Sequence, residues 1–99
     1  MSANLTQLVI FACDAGMGSS AMGATLLRTK LKAAGITDVT VVNKAVADLA
    51  TDAEFVITHS GLTDRARHTA PDAVHITVEN FMATPKYDEV VEILRAQRA

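Results

Sequence analysis

The chain contains few of the residues that mark several large protein classes. Its 99 residues include one cysteine, one tyrosine, three phenylalanines and no tryptophan. A single cysteine excludes an intramolecular disulfide and is typical of proteins in a reducing cytoplasm. With so few aromatic residues, the core has to be built from alanine, valine, isoleucine and leucine. Two prolines and five glycines leave little material for a flexible linker.

Charge and hydropathy exclude two further classes. Nine basic and eleven acidic residues give a net charge of −2, and the basic residues are scattered, so the sequence predicts no nucleic-acid partner. No apolar run approaches the roughly 20 residues that span a bilayer. The opening stretch MSANLTQ has no basic region that leads into a long apolar segment, which predicts no signal peptide. We therefore expect one cytoplasmic domain over residues 1–99.

Short apolar runs alternate with helical patterns along the whole chain. The predicted strands are 8–12, 39–42, 55–58 and 74–78, and a short turn is expected over 46–49. The first helix is predicted to be capped by Ser19 or Ser20 and to stop before Gly35. Thr63 is expected to cap a short second helix over 64–68. Thr84 is expected to cap the last helix, which has a proline in its first turn.

Strands that alternate with helices predict an α/β fold whose parallel sheet is covered on both faces. Right-handed crossovers then favour the strand order 2-1-3-4, a short Rossmann-like, flavodoxin-like arrangement. Such sheets bind ligands beyond the carboxyl ends of the strands, where the strand order reverses. Cys13, which follows the first strand, and residues 58–60, which follow the third, are predicted to meet there.

The loop after the first strand has the composition of an anion-binding nest. Its glycines allow successive N–H groups to point into one concavity, and the helix that follows adds a partial positive charge. Such a nest can hold a thiolate or a phosphoryl group attached to sulfur. No Gly-Lys-Ser/Thr follows, so the loop is no Walker A nucleotide site. The predicted phosphate-binding residues are Asp14, Ala15, Gly16, Met17, Gly18, Ser19 and Ser20.

Individual residues near this loop allow more than one interpretation. Cys13 is either a nucleophile or a small buried residue at a strand end. A carboxylate beside a thiol opposes its ionisation, which favours a turn-forming role for Asp14. His59 either assists at the site or simply ends a strand. Met17 and, less so, Met22 are candidates for an apolar docking rim. The remaining histidines, His68 and His75, fit surface or structural roles. No spacing of histidine and cysteine predicts a metal, and no cofactor is expected.

The stretch ACDAGMGSSAMGA, residues 12–24, resembles the phosphocysteine loop of the mannitol-specific B component of the bacterial sugar phosphotransferase system. The similarity continues through VNKAVADL at 42–49 and FVITHSGLTDRA at 55–66, and it covers nearly the whole chain. Other B components share only a looser cysteine loop, so the mannitol assignment depends on the longer match. In the family the position after His59 is often basic, whereas Ser60 is neutral here.

The resemblance implies a relay of phosphoryl groups. A phosphohistidine on an A component would pass its group to Cys13, and Cys13 would pass it to mannitol bound in a membrane-embedded C component. The loop from Asp14 to Ser20 would hold the group through backbone N–H groups and serine hydroxyls. The chain is expected to be monomeric by itself, and to act at the inner face of the membrane through its C-component partner.

Three other assignments remain open at this stage. A low-molecular-weight cysteine phosphatase also places cysteine after the first strand, but its arginine five residues further on would stand at Ser19, and the chain has no Asp-Pro pair for a general acid. A B component for a different sugar is a second alternative. A regulatory module with a silent cysteine is a third, and the intact loop from Cys13 to Ser20 argues against it.

Overall fold

Four parallel strands form the centre of the molecule. The computed structural model describes residues 6–13, 19–50, 53–79 and 85–98, and of Ser19 and Ser20 the backbone alone. The strands are β1 (Leu8–Cys13), β2 (Thr40–Ala45), β3 (Phe55–His59) and β4 (Val74–Val78). The helices are α1 (Ser19–Ala33), α2 (Thr63–Thr69) and α3 (Pro85–Gln97), and single 3-10 turns span Val46–Asp48 and Ser60–Leu62. The sheet order is β2-β1-β3-β4, which confirms the predicted topology.

Each face of the sheet has its own apolar core. On one face Val9, Phe11, Phe55 and Ile57 are buried with residues of α1 and α3. The opposite face carries Ile10, Ala12 and Val56, which are buried against α2 and the Val46–Asp48 turn. Because side chains alternate along a strand, β1 and β3 contribute to both cores, and this explains why their sequences are almost continuously apolar.

Helix α1 ends as the sequence predicts, at a glycine. Gly35 has a φ of 77°, the left-handed conformation that glycine adopts without steric cost. The N–H of Ile36 bonds to the carbonyl of Leu31 at 2.9 Å, and the N–H of Gly35 bonds to that of Lys32 at 3.1 Å. These bonds form a Schellman motif, and its usual apolar contact is present because Leu31 and Ile36 belong to the same core.

Several predicted boundaries are wrong in detail. Helix α1 begins at Ser19, so neither Ser19 nor Ser20 occupies the capping position before it. Thr63 is the first residue of α2 and not its cap, since Leu62 occupies the capping position without a side-chain bond. Strand β2 runs over Thr40–Ala45 instead of 39–42, because pairing with β1 continues as far as Cys13 opposite Ala45. Pro85 begins α3 as predicted, and the proposed cap Thr84 lies outside the described residues.

The exposed edge of the sheet at β2 is covered by an arginine. Both Nε and Nη2 of Arg28, on α1, donate to the carbonyl of Val41. This carbonyl would otherwise be open to a strand from another molecule, so the contact protects an edge as well as fixing α1 against the sheet. Over the described ranges, no helix is long and apolar enough to cross a membrane.

Candidate functional site

The carboxyl ends of the central strands bring Cys13 and His59 to one side of the sheet. Ala12 is paired with Thr58, so the next residue of each strand, Cys13 and His59, ends neighbouring strands. Alternation from Phe11 and Ile57 puts both on the face that packs against α1 and α3. Strand β1 lies between β2 and β3, which is where the strand order reverses. The structure therefore confirms that these two segments converge at the topological switch point.

Cys13 is buried, with 5% of its surface exposed. Its Sγ lies 3.8 Å from the carbonyl oxygen of Lys44, and the thiol donates to that oxygen. Nothing near Cys13 in the sequence indicates this partner, because Lys44 becomes a neighbour only when β2 pairs with β1. The thiol thus lies at the end of its strand, with its proton directed to the neighbouring backbone. Residues 14–18 of the predicted phosphate loop lie outside the described part of the chain.

The helix after this loop has a favourable distribution of charge for an anion at its start. The first turn of α1 contains no acidic residue, whereas Lys30 and Lys32 lie in its last turn. In α2 and α3 the first turn does contain a carboxylate, Asp64 and Asp88 respectively. The amino end of α1 therefore carries the partial positive charge of a helix start, and its first turn contributes no carboxylate.

His59 is held by the turn that follows it. The backbone N–H of Gly61 donates to Nδ1 of His59 at 3.3 Å. A nitrogen that accepts a hydrogen bond carries no proton, so in the neutral ring the proton lies on Nε2. The ring can consequently offer a hydrogen-bond donor at Nε2. The side chain is half-buried, and its backbone is extended, with φ −65° and ψ 149°.

A cluster of three threonine hydroxyls lies on the opposite face of the same strand end. Oγ1 of Thr63 lies 2.9 Å from Oγ1 of Thr58 and 2.8 Å from Oγ1 of Thr77. The same oxygen lies 3.4 Å from the carbonyl of His59. Sequence reasoning missed this cluster and treated Thr63 as a helix cap. The available signal in the sequence was that three elements each have a threonine at the relevant position: near the end of β3, at the start of α2 and near the end of β4.

A cleft of about 420 Å³ opens beside this cluster. Its walls come from the turn after β3, the end of β4 and the start of α3, namely Ser60, Thr77, Glu79, Pro85 and Lys86. The cleft contains both an ammonium and a carboxylate, so it has no single charge preference. Ser60 is exposed there, in the position that is often basic in the resembled family.

The other candidate residues of the sequence lie away from this arrangement or at its margin. Nε2 of His75 lies 2.7 Å from the carbonyl of Ala70, a structural bond between β4 and the end of α2. His68 is exposed on α2, and Met22 is 55% exposed on α1. Among the residues that the structure describes, no group of three potential ligands is arranged for a metal ion.

Comparison with known proteins assigns this arrangement to a family. The family model described as "PTS system, Lactose/Cellobiose specific IIB subunit" matches residues 8–93. The chain is 60% identical over 87 residues to the "PTS system mannitol-specific EIICB component" of Staphylococcus saprophyticus, which covers 88% of the chain and 17% of the relative. Proteins of the same name from Geobacillus stearothermophilus and Bacillus subtilis are 56% and 58% identical, over 88% of the chain and 18% of each relative.

These matches have two consequences. The chain spans less than a fifth of the length of the relatives that it matches, so the comparison concerns one part of those larger proteins. Within that part, the match runs through β1, the switch point and α3, and it favours the phosphotransferase system over the phosphatase alternative. The chain belongs to the IIB family of the phosphotransferase system.

Proposed function

We propose that this chain is a phosphoryl carrier that accepts a phosphoryl group from an A-component phosphohistidine onto Cys13. The group then passes to a sugar bound in a membrane-embedded C component. The observation that carries the proposal is the position of Cys13, the sole cysteine, at the end of β1 and at the switch point of a IIB-family sheet. Residues 1–99 act in this proposal as one B domain.

The transfer proceeds by two displacements at phosphorus. In the first, the sulfur of Cys13 attacks phosphorus, and the S–P bond forms as the N–P bond breaks. The electron pair of that bond returns to the histidine of the A component, which takes up the thiol proton. In the second, a sugar hydroxyl attacks phosphorus as the S–P bond breaks, and the hydroxyl proton passes to the leaving sulfur, so the Cys13 thiol is regenerated. Such reactions depend mainly on positioning and on stabilisation of negative charge.

The chain supplies that stabilisation without a cationic side chain in the loop. We assign the phosphoryl oxygens to backbone N–H groups of residues 14–20, with the hydroxyls of Ser19 and Ser20 as further donors. The start of α1, which has no acidic residue in its first turn, supports this assignment. Ser19 stands where a low-molecular-weight phosphatase has its arginine. A loop without that arginine suits a carrier, because a carrier has to protect the S–P bond from water until the acceptor arrives.

His59 is proposed as an auxiliary donor to the phosphoryl group. It shares its face of the sheet with Cys13, and its Nε2 carries the proton in the neutral ring. A hydrogen-bond donor beside the site stabilises charge that develops on the phosphoryl oxygens. We place the exposed Met22 at the rim of the surface that receives the two partner components.

Mannitol is the proposed sugar, because the three relatives are named mannitol-specific and are 56–60% identical to the chain. The names of these relatives contain a C component as well as a B component, which supports a membrane C partner and a location at the inner membrane face. The description of the family model, which names lactose and cellobiose, favours a second candidate sugar class. Transfer from the charged chain to mannitol, compared with lactose and cellobiose in the presence of the corresponding C components, distinguishes the two.

The mass of the intact chain tests the carrier function. We expect incubation with the phosphorylated A component of a mannitol system to add one phosphoryl group to the wild type. Cys13→Ser, which is close in size, should add none while it unfolds at nearly the same denaturant concentration. A phosphorylated Cys13→Ser chain would contradict the proposal, and so would an unmodified wild type beside an A component shown to be phosphorylated.

A further inference from the structure

We propose that Thr63 is a positioning residue for His59, acting through a hydroxyl cluster on the opposite face of the sheet from Cys13. The inference rests on the proposed function and deepens it, since it names what holds the auxiliary histidine in place. It starts from Oγ1 of Thr63, which has three oxygen neighbours, two of them hydroxyls of β3 and β4 and one the carbonyl of His59.

Only one set of hydrogen-bond directions satisfies all three contacts at once, including the longest, the 3.4 Å contact with the carbonyl of His59. A hydroxyl has one proton to donate and two lone pairs that accept, whereas a carbonyl can only accept. The contact with His59 therefore requires Thr63 to donate its proton. Thr58 and Thr77 must then both donate to Thr63. This is the one arrangement that satisfies all three contacts, and it uses the full capacity of the Thr63 oxygen.

Burial makes the arrangement specific. Thr58 is fully buried and Thr63 is 5% exposed, so water cannot easily replace the bond between them, whereas Thr77 is half-buried at the wall of the cleft. The bonds join the end of β3, the start of α2 and β4 at a single atom. A displacement of the end of β3 from the start of α2 would leave the buried hydroxyls of Thr58 and Thr63 without each other, and this part of the geometry is correspondingly rigid.

The cluster restricts the backbone of His59 through two contacts, one to the preceding residue and one to the carbonyl of His59 itself. The preceding residue, Thr58, is held through its side chain, and the carbonyl of His59 itself is held by Thr63. The remaining freedom lies in the ring, and Gly61 restricts it by donating to Nδ1. The backbone of His59 is thus held from one face of the sheet, while its side chain belongs to the face that also carries Cys13.

Two substitutions at the same position separate this role from general stability. Thr63→Val keeps the β-branched shape and exchanges the hydroxyl for a methyl group, so it removes all three bonds. Thr63→Ser keeps the hydroxyl and removes the methyl group. The matched control is Thr69→Val on the same helix, because within the described ranges the Thr69 hydroxyl bonds to the carbonyl of Arg65 alone, at 3.1 Å and inside α2.

The readouts are the ring-nitrogen NMR shifts of His59 and the steady-state transfer of phosphoryl groups from the phosphorylated A component. Measurements are made well below the midpoint of unfolding of each variant. We expect Thr63→Val to move the His59 shifts and to lower kcat by roughly tenfold with little change in KM, because misplacement of a transfer group affects the reacting geometry more than partner binding. Thr63→Ser should restore both, and Thr69→Val should match the wild type.

Each other outcome overturns the inference in a recognisable way. Unchanged His59 shifts in Thr63→Val would show that the cluster does not hold the histidine. Shifted signals with an unchanged kcat would show that the position of His59 does not matter for transfer, while phosphorylation of Cys13 would still stand. Failure of Thr63→Ser to restore kcat would assign the effect to packing. A wild type that accepts no phosphoryl group would overturn the proposed function itself.

Discussion

The two ends of the sheet are held together by different kinds of contact. At the amino end, the guanidinium of Arg98 donates to the carbonyl of Thr6 at 2.6 Å, to the carbonyl of Leu94 at 3.0 Å and to both carboxylate oxygens of Asp38. One charged side chain therefore joins the end of α3, the residues before β1 and the segment before β2. Bonds of a charged donor are stronger than neutral ones.

Further polar side chains reinforce the amino end. The side-chain amide of Gln97 accepts from the N–H of Thr6 at 2.8 Å and donates to its hydroxyl at 3.1 Å. The carboxylate of Glu54 accepts from the N–H groups of Gln7 and Leu8. These contacts join segments that are tens of residues apart in sequence, so they stabilise the fold as a whole.

At the carboxyl end, the side-chain hydrogen bonds of the central strands described above involve a thiol, a histidine ring and threonine hydroxyls. A strand of six residues is about 20 Å long, which exceeds the distance over which salt screens exposed charges. The ion pair at the amino end is therefore expected to stabilise the fold without altering the electrostatics at Cys13, where the phosphoryl group is proposed to bind. Substitutions at the two ends should then have separable effects on stability and on the proposed transfer.

The strongest expected effect on stability comes from Arg98→Ala. Removal of the guanidinium leaves two backbone carbonyls and Asp38 without their charged donor, and we expect the free energy of unfolding to fall by about 2–3 kcal/mol. Urea denaturation measures this loss. The matched control is Arg95→Ala, which removes an exposed 3.3 Å ion pair with Glu92 on the same helix and should cost at most about 0.5 kcal/mol.

Phosphoryl uptake by folded Arg98→Ala should stay within about twofold of the wild type. A large loss of uptake would show that the contacts at the amino end also affect phosphoryl transfer at the carboxyl end.

Gly23→Ala tests whether packing nearer the carboxyl end of the sheet also contributes to the stability of the fold. A Cβ at Gly23 would lie 2.6 Å from Oη of Tyr87 and 2.8 Å from Cε2 of Phe11, both on buried rings. We expect this overpacking to lower the free energy of unfolding by about 1–3 kcal/mol. A Cβ at Gly61 would meet only Nδ1 of His59 at an ordinary 3.8 Å, so Gly61→Ala should change stability by less than about 0.5 kcal/mol. Equal losses in the two variants would contradict the packing of α1 described above.

The pH dependence of stability sharpens the comparison with smaller effects. Burial raises the pKa of Tyr87 to about 12. In the unfolded chain the phenol of Tyr87 ionises near its ordinary pKa of about 10, so the free energy of unfolding should fall as the pH rises from about 10 to about 12. Tyr87→Phe should flatten this loss, and an unchanged slope in that variant would assign it to another group.

At low pH, an ion pair at the amino end contributes to the loss of stability. Through its side-chain hydrogen bond, Arg98 holds the pKa of Asp38 below its ordinary 3.8. The stability that this bond supplies is present above that value and is lost as the pH falls through the lowered pKa of the folded state. Arg98→Ala should remove this part of the acid transition in denaturation series measured at successive pH values. An identical acid profile in the variant would contradict the link.

Local patterns were sufficient to predict most of the fold. The continuous apolar run of β1, the glycine after α1 and the proline at the start of α3 are signals within a few residues of each element. The strand order followed from the handedness of crossovers. Cys13 could be singled out because a glycine loop between a strand and a helix is an anion-binding feature at the level of sequence.

The contacts that hold the two ends could not be predicted in this way. Arg98 and Thr6 are 92 residues apart, and nothing near either residue indicates the other. Threonine is a common helix-capping residue, so the sequence around Thr63 predicts a cap. The hydroxyls of Thr58 and Thr77 meet Thr63 only after β4 is placed beside β3. Helix propensity is a local property, and here a tertiary cluster determined the role of the hydroxyl.

The measurement that tests the central claim most directly is a phosphorus NMR spectrum of the chain charged by the phosphorylated A component. We predict one resonance of a phosphoryl group bound to sulfur, absent from Cys13→Ser and lost from the wild type when a C component with mannitol is added. A resonance of a phosphoryl group bound to nitrogen, or any protein-bound signal that survives in Cys13→Ser, would place the group on another residue and contradict the account.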